Sequence, residues 1–212
     1  MNYNGEATYY GFASSNHLGQ GMPYFDALTA FVPQGRALAR LLYGCPGITV
    51  PSGIGPQGVI AGFSADMGQR WQVLMATVPF VEYWRYTRDQ SWALRVGHPF
   101  VSEVLEFWEC WLVRNETTGL FQDINDNISE LGFFSEDRDK ADTVETDPIQ
   151  TLAFLRFIIK GALDMSVTLE KPESERRELW REIAAGLRNY TIEALPLPEP
   201  DGPPALVYSC GT

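Results

Sequence analysis

A mainly α fold, built of helical hairpins set around an incomplete ring, is what this sequence predicts, and three observations carry that reading. Apolar residues recur at helical spacing in successive segments, and the connections between those segments alternate between very short and long. Only short stretches at the chain's start, near 119–125 and at the C-terminus show the character of strands. A small bundle of about four helices needs only short loops, whereas a ring of hairpins gathers its long loops on one face and builds a site there. The chain holds fewer helices than a closed ring requires. One incomplete domain over 1–212 is therefore expected: an opening strand and site loop (1–22), first helices (23–114), a hairpin and acidic loop (115–147), a helical hairpin (148–190) and a tail (191–212).

Each element has its own signal. In PYFDALTAFVPQGRALARLLYG, Pro23 suits a first helical turn and Gly44 a stop, while Pro33 is expected to kink or split the helix near Val32. The Gly/Pro-rich stretch CPGITVPSGIGPQGVIAGFSADMG has no helical period and reads as a long loop. Trp71, Leu74, Met75 and Val78 then fall at i, i+3, i+4 and i+7, the stripe of an amphipathic helix that Phe80, Tyr83, Trp84 and Tyr86 widen. Val101, Val104, Leu105, Trp108 and Leu112 repeat the pattern after the short DQSWALRVG connection, which makes a hairpin of the two. Around Thr118-Gly119 the period shortens to that of a small β-hairpin. A helix is expected from Pro148, capped by Asp147 or Thr146, and IQTLAFLRFIIKGALDMSVTLE is apolar nearly all round, as a helix buried on most faces would be. PESERRELWREIAAGLRNY, begun by Pro172, is its partner, and ALVYS near the end reads as one strand.

Composition removes several function classes. With 212 residues, 45% of them hydrophobic, the chain can bury a core, and a formal charge of -11 without a basic run is a poor match to nucleic acid or an anionic membrane surface. No apolar run is long enough to span a membrane, and no signal-peptide pattern opens the chain, although the parent protein is expected to be secreted or periplasmic. Cys45, Cys110 and Cys210 show no metal-ligand spacing, so neither a metal nor another cofactor is expected; two of them can pair, or serve as small buried apolar residues. Sequons at Asn115, Asn127 and Asn189 read as chance matches. GIGPQG lacks the Lys-Ser/Thr of a phosphate loop, and no Gly-x-Ser-x-Gly elbow is present.

MNYN, SSNHLGQGMPYFDAL, PQGRALARLLYGCPG, a helix closing on YWRYTRD (Tyr83 to Asp89), HPFVSEVLEFWECWL and DPIQTLAFLRFIIKGALDM follow one another in an order that resembles the catalytic domain of glycoside hydrolase family 95 from Asn2 to about Leu187. These are α-L-fucosidase-like enzymes on an (α/α)6 toroid, and the resemblance implies the N-terminal half of that toroid, a carbohydrate substrate and inverting hydrolysis. Inversion needs an acid for the leaving oxygen and a base for the attacking water, about 6.5–9.5 Å apart. By the resemblance Glu130 is the general acid. Ser129-Glu130-Leu131 stands where the family has Ser-Pro-Glu-Asn, so Glu136, Glu145 and Asp126 remain alternatives. Asn2 and Asn4 would orient the water; in an extended segment an i, i+2 pair shares one side, about 6.5–7 Å apart. The family's assisting aspartate has no counterpart here, so a complete active site is expected to need the missing half of the toroid.

Asn16 and His17 are candidate sugar-binding residues or, equally, a turn residue and a helix cap. Tyr9, Tyr10 and Phe12 are candidates to meet a sugar face, while Trp71, Trp84, Trp108 and Trp111 lie on helical stripes and read as core. His98 reads as a helix-start residue. Two other readings stand beside hydrolysis: a non-catalytic carbohydrate-binding or structural helical domain, and another toroid enzyme such as a polysaccharide lyase. The acidic charge disfavours the latter's anionic substrate.

Overall fold

The computed structural model describes residues 3–55, 58, 60, 69–127, 144–172, 174–190, 192–195 and 205–208, with backbone alone at 127, 144, 145, 192–195 and 205–208. The described chain is helical, with three small antiparallel strand pairs at the ends of helices. It opens on a helical turn, α1 (Tyr3–Glu6), and a 3-10 turn (Ala7–Tyr9), where the sequence predicts a strand. An extended segment needs a neighbour to take its amides, whereas a helical turn satisfies them locally, and Thr8 Oγ1 donates to Gly5 O at 2.8 Å.

Helix α2 (Leu18–Tyr43) starts earlier than expected and runs unbroken through Pro23 and Pro33. Both prolines sit on its exposed face, where water can replace the missing bond, while Tyr24, Phe25, Leu28 and Phe31 anchor the other face in the core. Gly44 closes the helix as predicted, at φ 67°, with its N–H on Arg40 O at 3.1 Å. The Gly/Pro loop begins as a buried strap rather than a surface excursion. Cys45 is bonded to Cys110, Ile48 N–H donates to Glu103 O at 3.2 Å, and Gly47 lies so close to the helix that carries Glu103 (His98–Trp111) that a Cβ would come within 2.4 Å of Glu103 O. Closing 65 residues of chain by that disulfide is worth about 4 kcal/mol in the loop-entropy account.

Helix α3 (Gln72–Thr87) is followed after only Arg88 and Asp89 by a continuous helical run: α4 (Gln90–Trp92), a π turn (Ala93–Gly97) and α5 (His98–Trp111). The predicted connection is thus mostly helix. Asp89 caps it by accepting from Trp92 N–H at 3.0 Å. Helix α3 is not a one-faced amphipathic helix: Val73, Leu74, Ala76, Thr77, Phe80 and Trp84 are all fully buried, since α5 and α6 (Ile149–Thr168) flank it and Tyr24 of α2 bonds its Ala76 carbonyl. Helix α6 is buried on most faces, as expected, with only Lys160 and Val167 exposed and with Phe154 and Phe157 half-buried. It approaches α3 closely at Gly161, where a Cβ would meet Val81 Cγ1 at 2.5 Å.

Strands β1 (Val113–Arg114) and β2 (Phe121–Gln122) form the predicted hairpin, Val113 opposite Gln122, turning at Gly119 with φ 72°. Asn115 is built into that turn, accepting from Thr117 and Thr118 N–H at 2.9 Å and donating to Gln122. Strands β3 (Asp126–Asn127) and β4 (Val144–Glu145) pair next, and α6 and α7 (Glu175–Gly186) follow. Ser174 caps α7, accepting from Arg177 N–H. At the end β5 (Ile192–Leu195) pairs with β6 (Ala205–Tyr208).

Candidate active site

Two polar features interrupt the apolar core. The first lies in the N-terminal segment that carries most of the sequence's candidates. Glu6 is fully buried, and neither carboxyl oxygen has a hydrogen-bond partner among the described residues. Burial pushes its pKa from 4.5 up to about 7. Tyr24, whose hydroxyl donates to Ala76 O at 2.8 Å, and Tyr10 are both pushed up by burial and then by the Glu6 charge. Tyr9 packs half-buried on Tyr24, ring centroids 5.0 Å apart, and Tyr10 is exposed beside Tyr3.

The second is a buried node where β2, β3 and the N-terminal ends of α3 and α6 converge. Asp123, Asp126, Asp147, Arg70, Gln72 and Thr151 are all buried there. Asp123 Oδ1 accepts the Trp111 indole N–H at 2.9 Å, and Oδ2 accepts the Thr151 hydroxyl at 2.7 Å. Asp126 Oδ1 accepts Arg70 N–H at 3.0 Å, with the guanidinium 3.9 Å away. That guanidinium also donates to Ile124 and Asn125 carbonyls and lies 4.2 Å over the Trp111 ring. Asp147 exchanges two backbone-related bonds with Asp123: its Oδ1 accepts Asp123 N–H at 2.8 Å, and its own N–H donates to Asp123 O at 2.7 Å. Burial, and then the neighbouring Asp126 carboxylate, hold Asp123 well above the usual carboxylate range. Asp147 is pushed up by burial too, against the opposing pull of its bond to Asp123.

Asp147 therefore does not cap α6, as the sequence suggests. It adopts φ 58°, a left-handed conformation that Asp tolerates, and spends its carboxylate on β2; Pro148 occupies the cap position with no side-chain cap.

The other expected residues fall as follows. Asn4 lies on the exposed side of α1, a helical turn, so the extended-strand geometry that would set it beside Asn2 does not exist at Asn4; Asn2 lies outside the described residues. Asn16 is a turn residue at φ 60°, and His17 precedes α2 without a side-chain cap bond, its Nδ1 2.9 Å from Ser15 Oγ. Phe12 is not a sugar platform but core, packed on Phe25. Glu130 and Glu136 lie outside the described residues; Glu145 is opposite Asp126 in the β3–β4 pair, and Asp126 is buried in the node. Trp71, Trp84 and Trp108 are core, and Trp111 is half-buried with its indole on Asp123. His98 does begin α5; burial, then Lys171, Arg177 and Arg176, bring its pKa down to about 4.

Glu6, Arg70 and Asp123 are the polar residues that sequence reasoning missed. QDIND holds two aspartates three apart, yet nothing local shows that Trp111, Thr151 and Arg70 converge on them. Among the described residues no group of three or more His, Cys, Asp or Glu is arranged to hold a metal, and no helix is long and apolar enough to cross a membrane.

Compared with known protein families, residues 1–195 match the glycosyl hydrolase family 95 catalytic domain. No curated protein matches the chain.

Proposed function

The chain belongs to glycosyl hydrolase family 95, its catalytic-domain match covering residues 1–195, and on that premise we propose that, when completed by the other half of the toroid, it cleaves an α-L-fucoside or related glycoside with inversion. Glycoside hydrolysis and a carbohydrate substrate go with the family, and the helical hairpins belong to an (α/α)6 toroid. The match over nearly all of the chain is the observation that carries the reading.

The chemistry divides between two groups on opposite sides of the sugar. Glu130, four residues after Asp126 leaves the buried node, is the proposed general acid: protonated, it gives its proton to the leaving oxygen as the glycosidic bond breaks. Asn2 and Asn4 are the proposed water-orienting carboxamides, since an amide offers both donor and acceptor while staying uncharged; the proton of that water goes to a carboxylate base that the other half of the toroid supplies. Tyr10, exposed beside this segment, is the proposed sugar-facing ring; Tyr9, Asn16 and His17 are the accompanying sugar contacts. Support for the division is positional. The β3–β4 pair is tied to the helical body through buried Asp126, four residues before Glu130 in sequence, and the N-terminal segment packs Tyr9 against Tyr24 of α2.

The experiment is Glu130→Gln in the complete toroid, assayed on a fucoside with a poor leaving group and on one with an activated aryl leaving group. Loss of the first activity by about 100-fold or more, with the second better retained, is the expected signature of a missing acid. Equal activity of mutant and wild type on both substrates removes Glu130 from the role.

A further inference from the structure

The turn between β2 and β3 is held by side chains from three helix ends, because the two-residue strands on either side are too short to fix it. Asp123, fully buried, is its hub. Oδ1 takes the indole N–H of Trp111, the last residue of α5, at 2.9 Å, and Oδ2 takes the hydroxyl of Thr151, in the first turn of α6, at 2.7 Å. Its backbone is closed on Asp147, the N–H donating to Asp147 Oδ1 at 2.8 Å and the carbonyl accepting Asp147 N–H at 2.7 Å. Three residues on, Asp126 takes the N–H of Arg70, just ahead of α3, at 3.0 Å, and the Arg70 guanidinium donates to the carbonyls of Ile124 and Asn125 between them. An indole N–H can only donate, so an apolar residue at 123 would leave Trp111 unsatisfied out of water.

We propose that Asp123 is a positioning residue for glycoside hydrolysis: through Trp111 and Thr151 it fixes the β2–β3 turn, and with it the strand that leads to the general acid, against the ends of α5 and α6. Among the candidate acids, Asp126 opens β3, Glu145 stands opposite it in the β3–β4 register, and Glu130 follows four residues on in sequence. The direction in which β3 leaves the turn therefore sets where the acid-bearing segment starts. Two donors from two different helices define that direction, since a carboxyl held at both oxygens can neither rotate nor slide without breaking a buried bond. Burial and the Asp126 charge raise the Asp123 pKa while the Thr151 bond and Arg70 oppose the rise, so the contribution of Asp123 to stability is full at low pH and is lost as pH rises through the folded value. The tether rests on this geometry; its service to catalysis rests on the hydrolytic reading above.

The test compares Asp123→Asn with Asp123→Leu in the complete toroid, on a glycoside with a poor leaving group and on one with an activated aryl leaving group. Amide exchange at Asp123 and Asp147, whose N–H groups close the turn, reports the tether without reference to activity. Leucine keeps the bulk and removes both acceptors. It is expected to speed that exchange and to lower kcat about tenfold or more on the poor leaving group, with KM little changed and a much smaller loss on the activated substrate, which needs no acid. Asparagine is expected to stay within about threefold of wild type on both, because its carbonyl takes the Trp111 N–H while its NH2 donates to the Thr151 hydroxyl, which can also accept. Equal losses on both substrates in Asp123→Leu mean less folded enzyme rather than a misplaced acid, and overturn the positioning role; so does an unchanged kcat on the poor leaving group, or an asparagine variant as damaged as the leucine one. If Asp123→Leu does not fold, Thr151→Val, which deletes one of the two donors, decides by the same ratio: a loss confined to the poor leaving group supports the role, and its absence overturns it. Faster exchange in Asp123→Leu, in a protein whose wild type cleaves neither glycoside, supports the tether and overturns the hydrolytic reading instead.

Discussion

Glu6 and Asp123 are both carboxylic acids taken out of water, and the surroundings that replace the water differ. Asp123 is met by an indole, a hydroxyl, a neighbouring carboxyl and, one residue pair away, a guanidinium; Glu6 is met by no hydrogen-bond partner among the described residues. Burial raises both pKa values. In the node, however, the acid is a member of a hydrogen-bonded network, whereas Glu6 has no such donors among the described residues. The lesson is that a raised pKa by itself does not distinguish a built site from a tolerated cost. The donors do.

Three substitutions separate the two cases. Arg70→Gln carries the largest expected effect, because it removes the one cation that touches the node among the described residues, its bonds to Ile124 and Asn125 carbonyls and its stacking on Trp111. A loss of about 3–5 kcal/mol is expected, read as a lower denaturation midpoint with unchanged slope, and growing toward alkaline pH. A loss under about 1 kcal/mol would mean that the node is not held by its charges. Glu6→Gln comes next, and its sign reverses the usual expectation for a buried polar residue. A pKa raised from 4.5 to about 7 means that the native state holds a proton the unfolded chain has released, so Glu6 costs stability progressively as pH rises through that interval. The glutamine variant is expected to be more stable than wild type above about pH 7, by on the order of 3 kcal/mol, and nearly equal to it below about pH 4.5. If glutamine destabilises at alkaline pH, the glutamate has a partner and the contrast collapses. Smallest is Thr151→Val, which deletes one donor to Asp123 while keeping the shape of the side chain. It should cost about 1–2 kcal/mol and, because the Thr151 donor holds the Asp123 pKa down, move the alkaline decline to higher pH, measurable in the same melting series.

What was legible in the sequence was local. The Gly44 stop, the Thr118-Gly119 hairpin, the paired helices and the core role of Trp71, Trp84 and Trp108 each depend on neighbours within a few turns. The misreadings came where distant chain decided the outcome. Pro33 has a helix-breaking ring, but its exposed position and the core-facing Phe31 and Leu28 let α2 continue. Helix α6 is enclosed as its uniform apolarity suggests, but α3 is enclosed as well: the stripe at Trp71, Leu74 and Met75 is joined by buried residues on its other faces. Hydrophobicity along one helix does not say how many neighbours surround it. At the site, Asp123 looked like one polar residue of a hairpin, because Trp111 and Thr151 lie 12 and 28 residues away from it.

The bond between Cys45 and Cys110 makes the strap under α5 dependent on an oxidant. Chain synthesised in a reducing cytosol would have to hold Gly47 and Ile48 against Glu103 without that tether, at the close approach where even a methyl group has no room. The choice of expression host is therefore itself a variable: protein recovered from an oxidising compartment and protein recovered under reductant are two different samples, and free-thiol counts belong beside every stability or activity measured on either.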